Sequence, residues 1–372
     1  MSRGKPRERR QHRLKSCSHA RFDVRCNFLF FSCVTGVRYT RAVPSAFPSI
    51  PMKSLFLTAC FVVLALVSSA HAGGQKPGSL LVYPKYDNSS VSLTLLTVTN
   101  TSATESVRAH FLYINGDTCT ESNAFETLTP RDTVTLVTAA HSPDPGRGYA
   151  YVYARGLTNA SPITFNYLAG SSIILDGLTG STYSMQPVVF SGETEEMSNT
   201  DLDFDGIRDL DGSEYSRAPD QTIIPRFFGQ AGGVSTANIF SELVLVNLTG
   251  GRAFTTSISF LIFNDNEEAF SGEYTFYCWE SVGLRNISGA TRNNFLKNFT
   301  NNDPEEVIGI SGLEAGWILF DGGTANSVNT SISDPAVLVS LIDLGRVGSA
   351  QLPFVLGEQD NGDLLPTSIN GD

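Results

Sequence analysis

Residues 107–114 read VRAHFLYI, and residues 257–263 read SISFLIF. Both stretches place an apolar side chain at every second position, and successive side chains of a β-strand point to opposite faces. The pattern therefore predicts strands with one face in a core. Short runs of the same kind recur from Leu80 onward, and no long segment has a helical period. The core-facing residues that we expect are Val107, Ala109, Phe111 and Tyr113, and Ile258, Phe260 and Ile262.

The two stretches hold corresponding places in a weak internal repeat. Residues 97–117, TVTNTSATESVRAHFLYINGD, match residues 245–265, LVNLTGGRAFTTSISFLIFND. Further pairs follow in the same order: 128–136 with 276–284, 148–153 with 316–320, and 163–168 with 337–342. The repeat predicts an all-β protein with two tandem antiparallel β-sandwich domains, immunoglobulin-like in the broad sense, at residues 79–190 and 222–355. A jelly roll is the alternative topology.

Two N-terminal segments do not fit this pattern. Residues 1–51 carry 11 basic and two acidic residues, which predicts a leader absent from the mature protein or, as the alternative, a basic nucleic-acid or targeting arm. Residues 52–72 have the layout of a secretory signal peptide, with Lys53, an apolar run of 13 residues, and small side chains at Ala70 and Ala72. The run is too short to cross a hydrocarbon core of about 30 Å as a helix. We therefore expect a secreted protein, extracellular or at the cell surface, that starts at Gly73.

The charge balance from residue 73 onward excludes some partners. This part has 14 basic and 35 acidic residues, a net charge near −21. Such a surface repels nucleic acid and anionic membranes and attracts cations. Residues 356–372 are predicted to be a flexible tail without a membrane anchor. The two remaining cysteines, Cys119 and Cys278, either form an interdomain disulfide in an oxidising compartment or stay as two buried thiols.

One motif, in the acidic segment 191–221 between the repeats, carries recognisable chemistry. It reads DLDFDGIRDLDGSE over residues 201–214. Ca²⁺ takes six to eight oxygen ligands, and alternate residues of a curled loop can point their oxygens inward around a sharp turn such as Gly206. The expected ligands are Asp201, Asp203, Asp205, the backbone carbonyl of Ile207, and Asp209, with Asp211 or Glu214 completing the set.

This stretch resembles the DxDxDG calcium loops of EF-hands, dockerins and thrombospondin type 3 repeats, over about a dozen residues. It departs from them at position 12, where Gly212 replaces their usual bidentate acidic residue. The resemblance implies Ca²⁺ as the cofactor, and the absence of flanking helices favours a calcium-stiffened linker between the domains. The alternative is a solvated acidic spacer without metal.

Other candidate sites are weaker. Tyr149, Tyr151 and Tyr153 alternate along one predicted strand and form either an exposed face for a sugar or protein ligand or a strand buried on both faces. His110 and His141, the only histidines after residue 73, lack partners at zinc-ligand spacing.

No nucleophile motif or phosphate loop occurs in this part of the chain. We therefore expect a non-enzymatic extracellular protein for structure, adhesion or binding, with an extracellular protein or a glycan as its partner. A carbohydrate-binding module is the first alternative. A secreted hydrolase with a site at the domain junction is the second.

Overall fold

The computed structural model describes residues 75–142, 146–158, 161–229, 240–249, 254–264, 267–292, 315–345 and 348–364. These residues form antiparallel β-structure almost throughout, so the all-β prediction is confirmed. The predicted leader and signal, residues 1–72, lie outside the described residues. No helix in the described ranges has the length and apolar character needed to cross a bilayer.

The first half consists of two antiparallel sheets, called sheet I (order β5-β2-β7-β8) and sheet II (order β4-β3-β6-β1-β9). A short helix, α1 (Thr138–His141), follows β5. The strands are β1 (Leu80–Asp87), β2 (Leu93–Asn100), β3 (Val107–Asn115), β4 (Glu121–Leu128), β5 (Thr133–Val137), β6 (Arg147–Arg155), β7 (Leu168–Asp176), β8 (Ser181–Met185) and β9 (Val188–Phe190).

The second half also has two sheets, called sheet III (order β15-β12-β18-β19) and sheet IV (order β14-β13-β16-β11-β20, with β17 paired to β16). A further pair, β10 with β21, joins the segment between the halves to the C-terminal part. The helical turns are α2 (Leu284–Ile287) and a 3₁₀ turn (Gly289–Thr291). The strands are β10 (Arg208–Leu210), β11 (Ala218–Phe228), β12 (Phe240–Asn247), β13 (Thr255–Phe263), β14 (Ala269–Tyr277), β15 (Trp279–Gly283), β16 (Ala315–Asn326), β17 (Ser331–Ser333), β18 (Val337–Leu344), β19 (Ser349–Gln351), β20 (Phe354–Gln359) and β21 (Gly362–Leu364).

The two halves have the same topology, as the sequence repeat predicts. Strands β1 to β9 correspond in order to β11 to β16 and β18 to β20, and each takes the same place in its sheet. The first strand of each half carries the same register shift against its neighbour, between Tyr83 and Tyr86 and between Ile224 and Phe227. The duplication therefore extends to individual residue positions.

Each half encloses its own core between its two sheets. The predicted inward residues of β3 lie in the core between sheets I and II, and those of β13 lie in the core between sheets III and IV. The alternation of apolar residues is confirmed in both strands because one face of each is fully covered by the partner sheet.

A third core corrects the prediction of two separate immunoglobulin-like domains. The outward side of sheet II packs on the outward side of sheet III, so the four large sheets pack face to face in series, as propeller blades do. Residues 73–372 form one compact unit. Sequence periodicity cannot reveal this contact, because it reports that a face is apolar and not which surface covers it.

Specific bonds cross the contact between sheets II and III. The Lys85 ammonium lies 2.5 Å from the Glu242 carboxylate, and the indole N–H of Trp279 donates to the carbonyl of Pro84 at 2.8 Å. Cys119 and Cys278 form a disulfide between the halves, the first of the two sequence-based alternatives. The halves are thus joined by packing, by an ion pair and by a covalent bond.

Two boundary predictions are also corrected. The tail expected to be flexible from residue 356 instead contains the end of β20, which pairs with β11, and all of β21. The segment predicted to be an interdomain linker, residues 191–221, is part of the packed structure, because Leu210 and Tyr215 are buried in the core between the halves. Short polar strands of this kind have little apolar periodicity, so sequence patterns miss them.

Candidate metal centre at the junction

The acidic segment is held at the junction by backbone bonds on both sides. Gly192 bridges to Tyr215, and β10 pairs with β21 from the C-terminal part. Gly212 N–H donates to the Tyr215 carbonyl at 2.8 Å, and Tyr215 N–H donates to the Asp209 carbonyl at 3.1 Å. These bonds fix the chain where it enters and leaves the loop that carries the carboxylates.

Five predicted carboxylates converge in this loop, in two overlapping groups that share Asp203. In each group the carboxylate oxygens lie within 4.8 Å of one another. Ligands of one Ca²⁺ ion at about 2.3–2.6 Å can be at most about 5 Å apart, so each group has the spacing that one ion requires. The groups are Asp201, Asp203 and Asp205, and Asp203, Asp209 and Glu214.

The loop is curled by hydrogen bonds from its own carboxylates. Asp203 Oδ1 accepts from the Asp205 N–H at 3.1 Å, and Asp205 Oδ1 accepts from the Ile207 N–H at 2.7 Å. Gly206 has a φ of 84°, a left-handed conformation in which a side chain is strained. This turn is the physical basis of the DxDxDG spacing.

The sequence left open whether Asp211 or Glu214 completes the set of carboxylates. In the structure Glu214 lies with Asp203 and Asp209. It is buried, and its carboxylate accepts from the Leu202 N–H at 2.5 Å and from the Asp209 N–H at 3.4 Å. Burial raises the pKa of Glu214 to about 7, and burial together with Asp205 and Asp203 raises the pKa of Asp209 to about 6. The loop therefore carries negative charge that its own surroundings disfavour.

Asp201 connects the loop to the protein core. Its Oδ2 lies 3.4 Å from the Arg208 guanidinium, which is itself buried and lies 5.1 Å from the Tyr153 ring centroid. Its other oxygen, Oδ1, is buried and has no hydrogen-bond partner among the described residues. A buried carboxylate oxygen costs free energy unless a donor or a cation satisfies it.

One predicted ligand, Asp211, is placed differently. Asp211 belongs to neither carboxylate group in the described part of the chain, because it closes its own turn by accepting from the Ser213 and Glu214 N–H groups. Burial acts to raise the pKa of Asp211, but these hydrogen bonds outweigh it and lower that pKa. The Ile207 N–H donates to Asp205 Oδ1, and its carbonyl remains a predicted ligand.

Of the two alternatives for the tyrosine strand, an exposed ligand face or burial on both faces, the structure has the buried one. The three tyrosines are buried and stack in a row with ring centroids 6.4 Å apart, in the core between sheets II and III. The sequence left both alternatives open, because it does not show that sheet III covers this face. The residues are Tyr149, Tyr151 and Tyr153.

A second acidic group was missed by the sequence analysis. The carboxylate oxygens of Asp220 on β11, Asp321 on β16 and Asp334 lie within 4.8 Å of one another. Burial, followed by Asp321 and Asp220, raises the pKa of Asp334. No local motif signals this group, because its members come from three separate strands and loops.

A shallow pocket lies beside the disulfide, between the halves. It is lined by two carboxylates, Asp117 and Glu280, with Arg147 and Trp279 next to them. Burial raises the pKa of Glu280, Arg147 lowers it and Asp117 raises it. No histidine and no serine line this pocket among the described residues.

His110 lies in the interior, in contrast to a catalytic or metal-binding histidine in an open site. It is hydrogen-bonded to the Tyr153 hydroxyl and to Asn123 Oδ1, both at 2.7 Å. Burial lowers the pKa of His110 to about 3. The imidazole is therefore neutral at ordinary pH.

Comparisons with known proteins do not place the chain in a family. No protein-family description matches it, and the curated proteins contain no match. A chain of the Cowpea mosaic virus top component, naturally occurring empty particles, is similar over 80% of this chain and 96% of its own, with 10% identity and a TM-score of 0.17. A likeness this low carries no argument about fold or function.

Proposed function

We propose that the protein is a secreted, non-enzymatic module for extracellular structure, adhesion or partner binding, in which Ca²⁺ bound by residues 201–214 rigidifies the junction between its two halves. The observation that carries the proposal is the convergence of five carboxylates in a loop built into the junction core. The export signal predicted at residues 52–72 supports the extracellular location, where calcium is abundant enough for weak sites.

The charge balance of the loop supports a bound cation. The buried cation beside the converging carboxylates is Arg208, and burial together with Asp205 and Asp203 raises the pKa of Asp209. A divalent ion would replace this repulsion by attraction and would also satisfy the buried oxygen of Asp201. Because β10 follows directly and pairs with β21, order in the loop would be transmitted to both halves.

The test is calcium titration calorimetry of residues 73–372, which form a compact unit by themselves. We expect saturable heat and a higher melting temperature with calcium. The variant Asp203→Asn/Asp205→Asn keeps the turn-forming oxygens but removes two charges, and we expect its affinity to fall at least tenfold.

The matched control is Glu193→Gln/Glu195→Gln, which removes the same charge from exposed positions in the same segment, outside both carboxylate groups. Its calcium affinity should stay close to that of the parent protein. Equal affinity losses in the two variants would mean that calcium is attracted by the acidic surface in general and not bound by this loop. An absence of heat at millimolar calcium would contradict the proposal.

The junction pocket favours a second candidate, a secreted hydrolase. Asp117 and Glu280 line it together, and burial raises the pKa of Glu280 in the direction needed for a general acid. Turnover of glycoside or ester substrates that is lost in Glu280→Gln, with unchanged melting temperature, would establish this function over the first.

A further inference from the structure

The order of the four sheets leaves two outward faces, those of sheets IV and I, without a covering sheet among the described residues. Sheet IV is the counterpart of sheet II, and sheet I is the counterpart of sheet III. Inside the molecule the outward face of sheet II packs on the outward face of sheet III. The outward faces of sheets IV and I are therefore the second copies of two surfaces that already fit each other.

Strand registers make the correspondence exact to the residue for sheet IV. In sheet IV, Phe263 pairs with Trp317 and Leu261 pairs with Leu319. The equivalent pairs in sheet II are Ile114 with Tyr149 and Leu112 with Tyr151. The residues of sheet II at these positions are buried against sheet III, whereas Leu261 is 37% exposed. The face of sheet IV carries the carboxylates of Glu273 and Asp321 and, in larger number, the apolar side chains of Ile223, Leu261, Phe263, Trp317, Leu319 and Phe354.

The outward face of sheet I corresponds in the same way to the buried face of sheet III. In sheet I, Thr97 pairs with Thr135 and Ser171. The equivalent residue of sheet III, Val244, pairs with Ser281 and Ser340. The outward positions of its four described strands hold no charged residue, in a part of the chain with a large excess of acidic residues. Exposed apolar side chains stand on it, with Ile173 at 42% and Leu175 at 38% exposure.

We infer that the outward face of sheet IV of one copy docks on the outward face of sheet I of a second copy. The contact would repeat the internal contact of sheets II and III, and it is heterologous, so copies add head to tail in an open series. Large exposed sheet faces rich in apolar side chains, one at each end, are otherwise rare on a soluble monomer. This inference goes beyond the proposed function and does not depend on calcium.

The intermolecular contact lacks some of the internal bonds. Arg226 of sheet IV occupies the position that Lys85 has in sheet II, one residue before the end of the same register shift. Leu95 of sheet I, however, occupies the position that Glu242 has in sheet III. The disulfide also has no counterpart, since the described part of the chain holds only two cysteines and they bond to each other. We therefore expect reversible association, with a dissociation constant on the order of micromolar.

The test is sedimentation velocity of residues 73–372 over a range of concentrations, with and without a calcium chelator. The expected result is a concentration-dependent series of dimers and larger species in both conditions. A monomer that persists to several hundred micromolar would overturn the inference, and it would leave the calcium proposal untouched.

Two face variants test the polarity of the contact. Leu261→Glu/Leu319→Glu disables sheet IV, and Ile173→Glu/Leu175→Glu disables sheet I. Each variant alone should be monomeric, because every contact needs one face of each kind. A mixture of the two variants should give a one-to-one dimer that does not grow further, since one intact face of each kind remains.

Failure of the mixture to dimerise, or growth of either variant alone into a series, would contradict the head-to-tail contact. Milder single changes, Ser259→Lys on sheet IV and Thr97→Lys on sheet I, guard against loss of folding. Circular dichroism checks that all four proteins melt as the parent does. Association that is lost only in unfolded variants would also overturn the inference.

Discussion

Sheets II and IV have the same strand order and register, yet sheet II is buried on both sides, whereas the described residues leave the outward face of sheet IV partly exposed. In sheet II the outward row is Tyr149, Tyr151 and Tyr153; the corresponding row in sheet IV is Trp317, Leu319 and Asp321. The difference shows that one strand pattern serves both in an inner sheet and in an outer one. The position of a sheet in the series, and not its own pattern, decides what covers it.

The comparison is tested most strongly by removing equivalent side chains from the two rows. Tyr151→Ala opens a cavity in a fully packed core and should lower the free energy of unfolding by about 3–5 kcal/mol. Leu319→Ala removes a half-exposed side chain and should cost about 1 kcal/mol or less. Urea unfolding of both proteins, below the concentration of association, measures the difference. Equal losses would mean that the outward face of sheet II is not buried in solution.

His110 sharpens the same comparison through pH. It lies in sheet II where sheet IV has Ser259, and burial lowers its pKa to about 3. The unfolded chain binds a proton near pH 6.5 and the folded chain does not, so stability is full above pH 6.5 and falls as the pH decreases toward 3. We expect a loss of about 3 kcal/mol between pH 6.5 and pH 4 from this group.

The matching control is His110→Gln, which removes the titrating group and keeps a side chain able to hydrogen-bond. Its stability should depend less steeply on pH over this interval, while the carboxylates common to both proteins contribute equally. Parallel stability curves for the two proteins would show that His110 is exposed enough to protonate in the folded state.

The disulfide distinguishes the covalent junction from the packed one. Cys119→Ser/Cys278→Ser should lower the free energy of unfolding by about 3 kcal/mol, because the bond closes a segment of 159 residues in the unfolded chain. The ion pair of Lys85 with Glu242 and the core between the halves remain, so the protein should still unfold in one step. Separate melting of the two halves in this variant would show that packing alone does not join them.

Glycines at equivalent positions give the smallest effect. A Cβ at Gly148 would lie 1.8 Å from the Ile114 carbonyl oxygen, and one at Gly316 would lie 2.4 Å from the Phe263 carbonyl oxygen. Alanine should cost about 2 kcal/mol at either position, whereas Gly289→Ala, with open space around it, should be nearly neutral. Thermal melts of the three variants suffice. A neutral Gly316→Ala would show that the two halves differ in backbone at this point.

The sequence predicts the strands and their duplication well, because both leave local or repeated patterns. The inward faces of β3 and β13 follow from alternation alone, and the convergence of the carboxylates from Asp201 to Asp209 follows from spacing within one loop. Glu214 and Asp211 could not be ranked, because the choice depends on the chain reversal at Tyr215. The packing of sheet II on sheet III, and the acidic group of Asp220, Asp321 and Asp334, depend on contacts between distant segments that leave no local signal.

The central claim is that the two halves act as one unit clamped at a calcium-binding junction, and differential scanning calorimetry of residues 73–372 in saturating calcium tests it most directly. The account predicts one transition whose calorimetric enthalpy equals its van't Hoff enthalpy, at a higher temperature than in chelator. Two resolved transitions in calcium, one for each half, would contradict it.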